Sequence, residues 1–261
     1  MKIKLTTQDL TAIAVCSALY ALFAILTDYL AAHLTFFGVG FLPAVVIPAV
    51  FAVLYGPCVG GISGAIGIFI RDIFFHGNAP LSLVAGVPAN FILFFLIGYL
   101  STKNISLKQA LTCVSLVTIG VLVPSIVFLP NMVTYTGLST ELFVPIFVLT
   151  VIGSLVAVTV FSIRWKEWRS YAIGAIVGQV AGGLLLSVTV WAVSPLFLSY
   201  FTVPFGVIFV LPLFVWTVAT EIPFILIVGP PILKAVQMAF PTLRYRNKPS
   251  GKGGTIAQES C

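Results

Sequence analysis

A chain of 261 residues that is 60% hydrophobic and only 8% charged, with a mean hydropathy of +1.16, is too apolar to fold in water, since a soluble domain covers its core with roughly a quarter charged residues. The 22 Phe and the long Val, Leu and Ile runs exclude a disordered chain, and the 22 Gly and 16 Pro follow no triplet period. The net charge of +6 gathers between apolar runs, where it orients helices and touches anionic membrane lipid, so no nucleic-acid partner is expected.

A helix needs about 20 apolar residues to cross a hydrocarbon layer about 30 Å thick. Runs over residues 10–32, 41–55, 57–76, 80–100, 109–129, 142–163, 170–192 and 203–240 predict an all-α, multi-pass bundle of eight transmembrane helices. The first run is too long, and is followed by too many others, to be a cleavable signal peptide. Lys2, Lys4, Lys103, Lys108, Arg164, Lys166, Arg169, Arg244, Arg246, Lys248 and Lys252, eleven of the 13 basic residues, then fall on one side of the membrane. The opposite loops, 33–40, 77–79, 130–141 and 193–202, hold none. Because cytoplasmic loops concentrate positive charge, both termini are expected in the cytoplasm. That count requires 203–240 to be one long helix, bent at Pro212, Pro223, Pro230 or Pro231. Residues 1–243 form one transmembrane domain in this reading, and 244–261 a disordered cytoplasmic tail.

Small residues at helical spacing let membrane helices approach closely. Gly60, Gly64 and Gly67 form such a stripe in the third run, Gly174, Gly178 and Gly182 in the seventh, and Ala14, Ala18 and Ala21 in the first. Ionisable residues inside membranes are costly and mark sites; here they are Asp28, Arg71, Asp72 and Glu221, with Asn90 and Gln179 as neutral polar company. Adjacent helical residues point about 100° apart, so Arg71 and Asp72 are expected to diverge, with Arg71 above the glycine stripe facing neighbouring helices. A buried Arg71–Asp28 ion pair is the structural alternative to a ligand role. Asp28 shares the face of Ala14 and Ala18 and therefore ranks below Arg71 as a ligand contact. Arg71 would suit a carboxylate or phosphate, and Trp191 and Tyr200 could stack on a heteroaromatic ring.

No nucleotide-binding GxxxxGK[ST] loop, HExxH pair, GxSxG elbow or CxxC pair is present, and His33 and His76 fall in separate outer loops. No enzyme activity, metal or cofactor is expected, and uphill transport would draw on an ion gradient or a partner.

The stretches FLPAVVIPAVFAVLYGPCVGGISGAIGIFIRDIF, LSLVAGVPANFILFFLIGYLS and TEIPFILIVGPPILKAVQMAFP, with a YGP turn between two spans, a Gly-rich third span ending in an acidic residue and a PxN in the fourth, resemble the substrate-binding S component of energy-coupling factor (ECF) transporters. The resemblance covers 10–100 and about 170–240. It implies a plasma-membrane subunit that captures a vitamin-like small molecule or its precursor near the outer surface, energised by a transmembrane coupling protein and cytoplasmic ATPase subunits. The family's six helices leave 109–163 as an inserted pair. By resemblance, Ala14 and Ala18 dock the coupling protein, and Arg71 and Asp72 contact ligand. Asn90, Gln179 and Glu221 complete the expected substrate-binding set. The alternative is an autonomous secondary transporter driven by an ion gradient, for which Glu221 and the Pro-containing last tract are suitable parts.

Overall fold

The computed structural model describes residues 5–31, 35–36, 39–136, 141, 152–153, 155–161, 163–197 and 206–240. It is a helix bundle, and the chain is a membrane protein: five helices are long and apolar enough to cross a bilayer, namely Thr7–Leu30, Pro57–His76, Ala79–Ser101, Lys166–Phe197 and Val210–Ala239. Leu22, Phe23, Leu26 and Tyr29 on the first of these, and Leu116, Ile119 and Ile126 further on, are exposed, as side chains bathed in lipid are.

Local chemistry sets the helix ends. Helix α1 (Thr7–Leu30) starts at a capping box, in which Thr6 Oγ1 accepts from the Asp9 amide and Asp9 Oδ2 accepts from the Thr6 amide. A two-residue hairpin follows, β1 (Thr35–Phe36) against antiparallel β2 (Val39–Gly40), and then a 3-10 turn leads into α2 (Val46–Tyr55). Gly56, at φ 105°, makes the YGP turn, and Pro57 supplies the fixed φ that starts α3 (Pro57–His76). Gly77, left-handed at φ 68°, closes α3 by donating to the carbonyls of Asp72 and Ile73. Asn78 Oδ1 then caps α4 (Ala79–Ser101) at the Leu81 amide. Within α4, residues Ser82–Gly86 wind as a π turn before the helix resumes at Val87.

Helix α5 (Leu107–Thr136), α6 (Arg169–Val193) and α7 (Val210–Ala239) complete the described helices beyond short turns and residues 155–161. The bundle runs α1 against α3, α3 against α4, α4 against α6 and α6 against α7, with α2 filling the space between α1, α3, α4 and α7. Its core includes Tyr20, Phe94, Ile97, Ile176, Leu226 and Leu233, all fully buried. The glycine stripes are helix seats. A Cβ on Gly174, Gly178 or Gly182 would meet the backbone oxygens of Ile97, Leu93 or Ala89 within 3.0 Å, so α4 and α6 touch backbone to backbone along three turns. In α3, Gly60 seats Ala52, Gly64 seats Phe94 and Gly67 seats Tyr20.

The tract expected over 203–240 is one helix across Val210–Ala239, with Pro223, Pro230 and Pro231 inside it. The run at 109–129 lies within α5, at the flank of α6 and α7. Most of the 142–163 run, the 244–261 tail, His33 and Tyr200 lie outside the described residues.

Candidate functional site

The buried Asp28, Arg71 and Asp72 meet at one end of the bundle, where α1 and α3 end and α4 begins. Arg71, only 4% exposed, grips Asp28 with two parallel bonds, Nε to Oδ2 at 2.6 Å and Nη2 to Oδ1 at 2.7 Å. Its Nη1 donates to Asp72 Oδ1 at 3.0 Å, and Phe75 lies under the guanidinium, 4.3 Å from ring centre to Cζ. Asp72 Oδ2 accepts from Ser82 Oγ at 2.6 Å, and His76 Nε2 stands 3.6 Å from Asp72 Oδ1. Arg71 and Asp72 therefore meet despite their adjacency. The backbone directions do diverge, Arg71 toward α1 and Asp72 toward the π turn of α4, but the long guanidinium reaches back. His76 is the last residue of α3, not a loop residue.

The end of the hairpin presses on this network. A Cβ on Gly40 would stand 2.6 Å from Arg71 Nη2 and 2.7 Å from Asp28 Oδ1, so only glycine admits so close an approach of the backbone to the ion pair. The indole Nε1 of Trp216 on α7 donates to the Val39 carbonyl at 3.0 Å, tying the hairpin to the far side of the bundle.

A cavity of about 70 Å³ lies beneath. Its polar wall is Arg71, Asp72, His76, Ser82, Asn90 and Glu221, and Leu42, Ile68, Leu81 and Leu186 are among its apolar lining. Asn90 Oδ1 accepts from Tyr20 at 3.0 Å, and Asn90 Nδ2 donates to the Gly86 carbonyl at 3.0 Å. Glu221, 6% exposed, is steadied by Gln179, whose Nε2 donates to Glu221 Oε2 at 2.8 Å and to the Thr217 carbonyl at 3.2 Å.

Of the expected site residues, Arg71, Asp72, Asn90 and Glu221 line this cavity together, and Gln179 stands behind Glu221. Asp28, ranked below Arg71 from the sequence, is joined to it directly. Ala14 and Ala18 are exposed on α1 while Ala21 and Asp28 are buried. The stripe is spaced 3.5 residues per turn on a helix of 3.6, so it rotates by about 40° over 14 residues and carries Asp28 into the bundle. Trp191 packs in a satellite core with Leu81, Val190 and Leu213 and does not line the cavity. Sequence reasoning missed Tyr20, Ser82 and the hairpin. The Tyr20 hydroxyl, eight residues before Asp28 and thus near its face, was a usable signal; Ser82 offered none.

Among the described residues no residue of α5 or of 155–161 lines the cavity, and no cluster of three His, Cys, Asp or Glu side chains suits a metal ion. The chain matches no protein-family profile, no curated protein and no solved structure.

Proposed function

We propose that this chain is the membrane-embedded solute-binding subunit of an ECF-type importer, capturing a vitamin-like small molecule or precursor and relying on a separate coupling protein and ATPase subunits for energy. The observation that supports this reading is a cavity among membrane helices whose wall brings together the buried Arg71, Asp72 and Glu221. Membrane interiors tolerate such groups where they do work. In this reading the chain crosses the plasma membrane eight times with both termini in the cytoplasm. Residues 10–100 and 170–240 form the family-like core, and 109–163 an insertion standing beside it. The exposed Ala14 and Ala18 offer a shallow face to the coupling protein.

The test is native mass spectrometry of the affinity-purified chain from its own membranes. The expected result is a retained small molecule and co-purifying coupling and ATPase subunits. One observation favours a second reading: Glu221 has no cationic partner within ion-pair distance among the described residues, as a carboxylate that carries a coupling ion would not. Uphill accumulation by the chain alone in liposomes, driven by an ion gradient, would establish that secondary transporter and overturn the first.

A further inference from the structure

Three carboxyl groups, Asp28, Asp72 and Glu221, stand at this site against the guanidinium of Arg71 and the imidazole of His76, which lies beside Asp72. Two of them are already matched. Both oxygens of Asp28 hold Arg71, and Asp72 takes the third guanidinium nitrogen and the Ser82 hydroxyl. Arg71 is thereby neutralised, and its charge is not available to an anion. Glu221 is left in a different position. More than nine-tenths buried and lining the cavity, it receives one neutral hydrogen bond, to Oε2, and its Oε1 accepts none from the described residues. A carboxyl buried in this way is either protonated or matched by a counter-charge, and the cavity is where a counter-charge has room to stand.

We propose that the solute carries a cationic nitrogen, an ammonium or amidinium, which enters this cavity and donates to Glu221 Oε1. The proposal rests on the solute-binding reading and adds the chemical class of the ligand. Gln179 fixes the Glu221 carboxylate from behind, so the free oxygen is presented without reorganisation. The apolar walls of Leu42, Ile68 and Leu186 raise the strength of a charge-assisted bond by keeping water away. An anion is disfavoured, since the three guanidinium nitrogens of Arg71 are already taken by Asp28 and Asp72.

The experiment uses the full chain in lipid nanodiscs and three probes of one shape that differ in charge: acetamidinium, acetamide and acetate. Thermal melting is followed at fixed ionic strength over millimolar probe, the range that such small molecules reach. Acetamidinium is expected to raise Tm in a saturable way, with an apparent Kd about tenfold below that of acetamide, the difference a charge-assisted bond makes; acetate is expected to give no shift. Glu221→Gln should erase the preference for acetamidinium, and Glu221→Asp, which keeps the charge, should retain part of it even if Glu221→Gln folds poorly. Equal or stronger stabilisation by acetamide or acetate, an acetamidinium effect that survives Glu221→Gln, or no shift with any probe overturns the proposal. A neutral or anionic solute found in the mass spectrum also overturns it while leaving the binding-subunit reading standing, so the two fail separately.

Discussion

Arg71→Met removes the guanidinium but keeps much of its length, and it strands two carboxylates in the bundle. Arg71 is 4% exposed, and its partners Asp28 and Asp72 are 6% and 5% exposed, so solvent cannot replace the lost partner. Breaking a buried, hydrogen-bonded pair by removing one member costs about 3–5 kcal/mol. Arg71→Met is therefore expected to lose stability of that order, a large part of the whole for a protein of this size. Asp28→Asn added to Arg71→Met removes one stranded charge, and Asp72 keeps its bond from Ser82. The double variant should recover about half or more of the loss, because an uncharged replacement of a buried pair is often nearly neutral. The assay is unfolding in mixed micelles by increasing denaturing detergent, on the wild type, both single variants and the double, analysed as a double-mutant cycle. An Arg71→Met loss of about 0.5 kcal/mol or less, the range of ordinary surface substitutions, or a double variant no better than Arg71→Met, would refute the ion pair as a fixed part of the fold.

The remaining predictions concern packing, the hairpin and docking. Gly178→Ala, whose new Cβ would stand 2.6 Å from the Leu93 carbonyl, should cost about 1–3 kcal/mol by overpacking, whereas Gly183→Ala, whose nearest contact is a Phe214 ring carbon at 3.3 Å, should cost clearly less; equal effects would contradict the backbone contact between α4 and α6. Trp216→Phe deletes the bond to Val39 and about 1 kcal/mol with it, and hydrogen exchange should quicken at residues 35–40 but not in the middle of α3; unaltered exchange at the hairpin would show that the indole does not hold it. Ala14→Trp places bulk on an exposed face remote from the cavity, so on the proposed docking of α1 against a coupling protein, uptake in cells should fall while solute binding by the purified chain persists; loss of both together would count against that docking.

Much of this architecture is legible in the residues. Five long helices follow from the length of their apolar runs, whereas the run at 41–55 makes only the ten-residue α2; the YGP turn suits the positive φ at Gly56, and the seats of α4 on α6 follow from the GxxxG spacing at Gly174, Gly178 and Gly182. The gathering of Arg71, Asp72, Asn90 and Glu221 was also within reach, since lone polar groups in lipid seek one another. What the pattern did not reveal depends on small rotations and on side-chain reach. Asp28 looked like a member of the exposed alanine face because 3.5 and 3.6 residues per turn part company only over several turns. The Arg71 contact with Asp72 depends on a long side chain bending back, which Cα directions do not report. Ser82 reaches Asp72 from a π turn, and no residue type announces a π turn. The hairpin rests on a contact between Val39 and Trp216 across 177 positions, beyond any local pattern.

The Arg71–Asp28 pair also bears on how the protein is made. Synthesis runs from the amino end, so α1 enters the bilayer bearing the Asp28 carboxylate before α3 delivers its guanidinium, 43 residues later. The first helix by itself inserts against a penalty of up to about 2.5–3.5 kcal/mol for its carboxylate, relieved when it docks on α3, whose own Arg71 is matched in part by Asp72. The bond from Gln179 to Glu221 and the clasp of Trp216 on the hairpin come from α6 and α7, the last of the described helices to emerge. The first helix therefore waits on the third to settle its charge, and the cavity is finished only when the final helix is seated.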